Sequence, residues 1–278
     1  MSINWFPGHM VKARREIEEN IKLVDIVVML LDARAPYSCR NPELEKLVAR
    51  KKVVLVLNKM DLAEKNAMRR HMTALRTEGF MVAAMDSISG KGQREVMQVI
   101  SESYQSFADT MLQKGRRVRP ARVMVVGVPN IGKSTFLNSL VGKKMAATGA
   151  KPGVTRGKQW LRVREDIEFM DTPGLMWPKV GSEEQGYKLA MLDIVGEKAY
   201  SEYDVARFLV TWLKDNQPSV LLDKFKLKDD NLPPELIMEN IARHRGYLVK
   251  GGAADIEKTC KLLLQDFRKG KLGPANLD

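Results

Sequence analysis

Residues 127–134 read G-V-P-N-I-G-K-S and follow directly on the apolar run 123–126. The spacing G-x-x-x-x-G-K-S curls a backbone between a strand and a helix, so that successive N–H groups and the helix N-terminus point at phosphate oxygens. Backbone groups of Asn130, Ile131 and Gly132 would line that cradle. Lys133 has the reach for β- and γ-phosphates, and Ser134 carries the hydroxyl that ligates Mg²⁺. Thr135, also expected to contact the nucleotide, begins the helical run that extends to Leu140. A chance glycine turn is the alternative, but the flanking strand and helix patterns oppose it.

A second constellation selects the base. Residues 53–57 read as a buried strand and run into Asn58-Lys59-Met60-Asp61, N-K-x-D. Asp61 can accept both the N1 hydrogen and the exocyclic amine of guanine, whereas adenine presents a lone pair at N1 and would be repelled. Asn58 would fix the loop and contact the base, with the Lys59 stem over its face. The loop 86–92 contains Ser87-Ile88 where guanine-nucleotide enzymes usually present Ser-Ala to the base O6, so Ser87 matches only in part. GTP is the substrate these residues imply.

Two further segments face the γ-phosphate. Residues 150–157, A-K-P-G-V-T-R-G, place Thr155 to meet Mg²⁺ as a first switch. Asp171-Thr172-Pro173-Gly174, D-x-x-G, ends a strand, so that Asp171 would hold Mg²⁺ through water and the Gly174 N–H would sense the γ-phosphate. In many GTPases a Gln next to D-x-x-G orients the attacking water, but here the residue is Leu175, which has no donor or acceptor. Another group must hold the water. Of the three histidines, His71 follows Arg69-Arg70 on an expected exposed helix and His244 lies in the distant carboxyl-terminal part, which leaves His9 as the catalytic candidate, a structural turn residue being its alternative.

The elements that must position these groups alternate strand and helix, as a doubly wound α/β sheet requires. Strands are expected at 25–31, 53–57, 81–85, 123–126, 160–163 and 167–170. Helices are expected at 11–24, 41–50, 63–79 and 94–113, with Ser2–Met10 forming an aromatic pair and a Pro-Gly turn. An ordinary GTPase presents the phosphate loop, then Thr, then D-x-x-G, then N-K-x-D; here N-K-x-D comes first and D-x-x-G last. The order implies a circular permutation, with residues 114–122 joining the old termini. Residues 1–180 are therefore read as a permuted P-loop GTPase domain. Residues 181–278 are read as a small all-helical domain with apolar stripes at Val205, Phe208, Leu209, Trp212, Leu213 and at Ile256, Cys260, Leu263, Leu264, Phe267.

Composition narrows the setting. The chain of 278 residues carries a net charge of +12, and residues 1–185 hold 31 Lys/Arg against 20 Asp/Glu while residues 186–278 hold 15 against 14. Two acid-free basic stretches, 114–122 and 143–164, lean toward polyphosphate and so toward RNA, with solvated charged faces as the bland alternative. Lys224 to Lys228 and Arg243-His244-Arg245 are weaker candidates for the same contact. Cys39 and Cys260 give neither metal spacing nor a disulfide framework, which suits a reducing cytoplasm. No signal peptide, membrane span or lipidation signal is expected.

The chain resembles the circularly permuted bacterial GTPases of the ribosome biogenesis GTPase A, or YlqF, type over essentially its whole length. The resemblance rests on Trp5-Phe6-Pro7-Gly8-His9-Met10, Asp32-Ala33-Arg34-x-Pro36, N-K-x-D, Gly127 to Ser134, Pro152-Gly153-Val154-Thr155, D-x-x-G with Trp177-Pro178-Lys179, and Phe267-Arg268-x-Gly270-Lys271-Leu272-Gly273. It implies late assembly of the large ribosomal subunit, with the subunit precursor and its rRNA as partners, and a carboxyl-terminal helical RNA-binding module; a monomer with neither DNA nor membrane partner is expected. It also implies His9 as the catalytic histidine, and Asn130 as the residue that in related GTPases helps coordinate a K⁺ bridging the β- and γ-phosphates. A protein-directed regulatory GTPase without RNA binding is the first rival reading; a P-loop ATPase or kinase, opposed by N-K-x-D, is the second.

Overall fold

The structure, a computed structural model, describes residues 7–142, 160–177, 180–227 and 231–278, with the side chains of residues 7–9 and Lys198 outside that description. Thr155 and the basic run 143–158 lie outside the described residues. The chain divides into two compact units.

The first unit is built on a six-stranded sheet in the order β3-β2-β1-β4-β6-β5. Its strands are β1 (Ile26–Asp32), β2 (Lys52–Asn58), β3 (Met81–Met85), β4 (Ala121–Val126), β5 (Trp160–Arg164) and β6 (Ile167–Asp171). All pairings are parallel except the β5–β6 hairpin. Every residue of β1 is buried, as its unbroken apolar run requires of a central strand covered on both faces. Helices α1 (Pro7–Asn20), α2 (Pro42–Val48), α3 (Lys65–Thr77), α4 (Gln93–Gln113) and α5 (Lys133–Val141) complete the alternation. The strands agree with the sequence reading to within two residues at each end.

Two local expectations are corrected. Residues 7–10 do not form a Pro-Gly turn, because α1 already begins at Pro7, whose fixed φ suits the first helical position. His9 therefore stands on the first turn of a helix. The joining segment 114–122 is also not wholly a free basic stretch. Arg119 forks onto Asp25 at 2.7 and 2.8 Å, the Arg122 N–H donates to the same carboxylate at 2.9 Å, and the Arg122 guanidinium lies 5.0 Å from the Trp160 ring centroid. Two of its five cations thus anchor the seam that the permutation creates; Lys114, Arg116 and Arg117 are exposed.

The register places the chemistry. Asp32 pairs with Asn58 and Asn58 with Met85, while Met29 pairs with Val126 and Val125 with Asp171. The carboxyl ends of β2, β3, β4 and β6 thereby deliver N-K-x-D, the Ser87 loop, the phosphate loop and D-x-x-G to one edge. This is the crevice beside the point where strand order reverses, between β1 and β4.

The second unit covers residues 180–274 over its described part and is helical: α6 (Glu183–Met191), α7 (Glu202–Asn216), α8 (Pro234–His244) and α9 (Ile256–Arg268), with a π-helical turn at Val220–Lys224. Ser182, Ser201 and Asp255 cap α6, α7 and α9. Val205, Leu209 and Leu213 of α7 and Cys260, Leu263, Leu264 and Phe267 of α9 are buried, while Phe208 and Trp212 flank that core half-buried. Arg268 binds the Ala190 carbonyl at 2.9 Å and the Tyr200 hydroxyl at 2.8 Å. Arg245 pairs with Asp266 and stacks over Phe225, and Lys224 donates to the Lys271 carbonyl, so both serve the fold of this unit; Arg243 and His244 are exposed. The last four residues, 275–278, belong to the first unit and not to the helical one.

Candidate functional site

The phosphate loop leaves β4 and closes into α5 through Gly132, whose φ of 100° is left-handed. A Cβ on Gly132 would stand 2.6 Å from Asn58 Nδ2, so glycine is required both by the backbone and by the neighbour. That neighbour is the first residue of N-K-x-D. Asn58 donates from Nδ2 to the Ile131 carbonyl at 2.9 Å and accepts at Oδ1 from Ser87 Oγ at 2.7 Å. Ile131 is buried and contributes its backbone carbonyl; Asn130, with φ of 55°, is exposed at the loop tip.

Ser87 is thus placed behind the base-recognition loop, holding Asn58 and buried itself. The following Ile88 N–H donates to Asp86 Oδ1 at 2.9 Å, and the Ile88 side chain is exposed. Asp86 folds this loop as an Asx turn, a signal already present in the sequence as Asp-Ser-Ile-Ser. Lys59 has a left-handed backbone, φ 59°, and its Nζ reaches the Asn130 carbonyl at 3.2 Å, which lays the stem across from β2 to the phosphate loop.

Asp32 is the residue that motif reasoning about chemistry did not assign. Its fully buried carboxylate accepts from Arg34 Nε at 2.9 Å and Nη2 at 2.8 Å and pairs with Lys59 Nζ at 3.2 Å. Although burial raises its pKa, the two cations outweigh that and hold it well below the usual carboxylate range. Asp61 sits on the one-turn helix Met60–Leu62 and is exposed as a residue, while its carboxyl group is partly shielded. Partial burial pushes its pKa up, with Asp86 and Asp32 adding and its own backbone and Arg34 opposing.

On the phosphate side, Lys133 is buried and its Nζ donates to the carbonyls of Val128 at 3.0 Å and Gly127 at 3.2 Å. Burial pushes its pKa down to about 8, opposed by Asp171. Ser134 Oγ lies 3.3 Å from Asp171 Oδ2, while Asp171 Oδ1 accepts from the Thr172 N–H at 2.9 Å. Burial raises the Asp171 pKa against the pull of Lys133. A hydroxyl facing a partly buried carboxylate is the donor set a hard divalent cation selects, and a cation there would reverse the burial cost. Mg²⁺ therefore fits between Ser134 and Asp171. When bound it neutralises charge on phosphate oxygens. Thr135, half-buried, stands in the same first turn of α5.

Gly174 completes the edge. A Cβ there would meet Pro129 backbone at 2.8 Å and Lys133 Nζ at 3.1 Å, so the D-x-x-G turn lies against the phosphate loop with no room for a side chain. Leu175 is buried, its N–H donates to the Gly127 carbonyl at 3.2 Å and its carbonyl accepts from Asn41 Nδ2 at 2.8 Å. The position that carries Gln elsewhere is accordingly tied down and turned into the core. Next to it, the Met176 N–H meets Met10 Sδ at 3.4 Å, bringing the first turns of α1 beside D-x-x-G.

The arrangement can grip a guanine at one end and a magnesium-bound triphosphate at the other, with the three-segment lock Ser87–Asn58–Ile131 fixing the distance between them. Residues 122–239 match the family model described as 50S ribosome-binding GTPase. The chain is 38% identical to a ribosome biogenesis GTPase A from Priestia megaterium, an alignment covering all of this chain and 97% of the relative. It is 31% identical to the ribosome biogenesis GTPase A of Thermotoga maritima, over 99% of this chain and 94% of the relative. A crystal structure of GNP-bound YlqF from T. maritima superposes with a TM-score of 0.68 at 25% identity, covering 96% of this chain and 97% of that one. A permuted α/β sheet that gathers N-K-x-D, the phosphate loop and D-x-x-G at one edge, matched from end to end by these relatives, leaves one assignment: the chain belongs to the ribosome biogenesis GTPase A family and hydrolyses GTP.

Proposed function

We propose that this GTPase is an assembly factor that binds the precursor of the large ribosomal subunit, contacts its rRNA and promotes its late maturation. It would act as a monomer in the cytoplasm, with no DNA or membrane partner. The observation that carries the reading is that the likeness to ribosome biogenesis GTPases runs through the helical unit as well as the GTPase unit. Charge supports it: an open cleft of about 1230 Å³ beside the start of β4 and the β5–β6 turn is lined by Arg117 and Arg162, with Arg119 held by Asp25 and Arg164 by Asp166. Among the described residues no helix is long and apolar enough to cross a membrane.

In this reading Asp61 and Asn58 select guanine, Lys59 shelves the base, and Lys133 with the backbone of residues 130–132 holds the phosphates. Ser134, Thr155 and Asp171 serve Mg²⁺, and Gly174 senses the γ-phosphate. Ordering of the segment after Gly174 biases the attached helical unit, which makes particle affinity depend on nucleotide. Co-sedimentation with large subunits in GDP and in a non-hydrolysable GTP analogue tests the function directly. The two states are expected to differ by at least tenfold in affinity, about 1.4 kcal/mol. Binding indifferent to nucleotide rejects the switch, and absence of binding in both states rejects the partner.

His9 is the proposed water-positioning group. Its neighbour Met10 lies against Met176, and Leu175 is committed to the core, which supports a role for the first turn of α1 at the phosphate end. Intrinsic hydrolysis is expected to be slow and to accelerate on the particle, and His9→Ala should remove most of that acceleration, about 10²-fold for a lost general base, while GTP affinity stays within twofold. Normal stimulated turnover in His9→Ala would return the histidine to a structural role. Asn130 is the proposed K⁺ ligand. Hydrolysis in K⁺ should exceed that in Na⁺ at matched ionic strength by about tenfold or more, since the bound cation stabilises transition-state charge; equal rates in the two salts count against the site.

A further inference from the structure

The carboxyl-terminal four residues return to the sheet edge that recognises the base. Ala275 pairs with Ala63: its N–H donates to the Leu62 carbonyl at 2.9 Å, and its carbonyl accepts from the Glu64 N–H at 3.0 Å. Leu62 is the residue after Asp61, and Glu64 caps α3. Two residues on, the Leu277 N–H donates to the Arg34 carbonyl at 2.8 Å. The Asp278 carboxylate then accepts from the N–H groups of Tyr37 at 2.7 Å and Ser38 at 3.0 Å and from the Ser38 hydroxyl. Asn276 Oδ1 lies 2.7 Å from His71 Nε2 on α3, and Ala275 and Leu277 are both buried.

These contacts converge on the two chain segments that carry the base-binding side chains. On one side the tail closes the turn holding Asp61, whose other end is fixed by Asn58 on the Ile131 carbonyl. On the other it grips the backbone of Arg34, whose guanidinium binds Asp32, which in turn pairs with Lys59. Asp61 is on a single turn of helix and exposed, so its direction depends on how that turn is held. The tail supplies backbone pairing there that neither β2 nor α3 provides, and charge-assisted bonds on the β1 side.

We infer that residues 275–278 are a positioning element for guanine recognition, setting Asp61 and Lys59 through Leu62, Glu64 and Arg34. The inference rests on the assignment of Asp61 to the base. It touches neither phosphate nor metal groups, so its effect falls on affinity and base choice and spares the chemical step.

The test uses the full chain, an Asp278→Ala variant, a deletion of residues 275–278, and Asp61→Asn as control. Affinities for GTP and for inosine triphosphate, which lacks the exocyclic amine, are measured by competition against fluorescent GDP, with kcat and KM for GTP alongside. The deletion is expected to weaken GTP binding by about tenfold and to compress the GTP-to-inosine preference by at least threefold; Asp278→Ala shifts both in the same direction by a smaller factor. KM should rise while kcat changes less than twofold. A tail that merely stabilises the fold would lower the melting temperature and leave the base preference intact, and that result overturns the inference. If the deletion does not fold, Asp278→Ala decides alone: a preference equal to that of the parent rejects the positioning role. Should Asp61→Asn itself leave the preference unchanged, the assignment of Asp61 falls and the inference with it.

Discussion

Asp61→Asn is expected to lower GTP affinity by about 10²-fold or more. The carboxylate offers two acceptor oxygens to two guanine donors, and hydrogen bonds to a charged partner contribute about 1.5–3 kcal/mol each. The amide keeps one acceptor and turns a donor toward a donor, so losing one bond and opposing the other comes to about 3 kcal/mol, with about 1.4 for each tenfold. Xanthine carries an oxygen where guanine carries the amine, and the new amide can donate to it. The preference for GTP over xanthosine triphosphate should accordingly fall by a further factor, read by competition titration of both nucleotides. The local setting favours a clean result: Asp61 is exposed on its turn and Asn58, not Asp61, makes the bonds that close the edge. Unchanged GTP affinity in this variant would sink the base assignment.

Lys133→Met should have the largest effect on turnover, a loss of about 10³-fold in kcat/KM, the scale seen when one preorganised donor to developing charge is removed. The pH dependence identifies the cause. Burial lowers the Lys133 pKa from an ordinary 10.5 to about 8 against the opposing pull of Asp171; among the described residues its Nζ donates to the Gly127 and Val128 carbonyls. Bound phosphates restore the charged form. Below about pH 8 the lysine is already protonated and affinity is level; above it, binding must first take up a proton, so GTP affinity declines as pH rises from 8 toward 9. Proton uptake measured calorimetrically in two buffers of different ionisation enthalpy should appear in that window and vanish in Lys133→Met. Wild-type affinity flat between pH 7 and 9 refutes the assignment of the titration to Lys133.

Much of this was legible along the chain because each piece is local. Strand β1 is a run of apolar residues that can only be buried on both faces, and residues 127–134 specify their own loop through glycines that must adopt backbone shapes closed to other residues. The permuted order of N-K-x-D and D-x-x-G is a fact of sequence, whereas the strand order that brings both motifs to one edge is given by the fold. Sequence also supplied the missing glutamine at Leu175, since an apolar side chain cannot orient water wherever it points.

What tertiary structure alone decided were the partnerships between residues far apart in the chain. Ser87 stands out in the sequence by its position in the 86–92 loop, and only the fold shows that its hydroxyl donates to Asn58, twenty-nine residues away, within the loop that Asp86 closes as an Asx turn. Asp32 and Arg34 read as a short charged motif, and only the register of β1 against β2 brings Asp32 level with Asn58 and so within reach of Lys59. Two of the five cations of the basic joining segment turned out to be anchorage, through Asp25, ninety-four residues from Arg119. The tail 275–278 carries no motif at all. Its contacts on Leu62, Glu64 and Arg34 are made by backbone N–H and C=O groups, which are the same in every sequence, and the Asp278 carboxylate meets Tyr37 and Ser38 some 240 residues away, so only folding could place them.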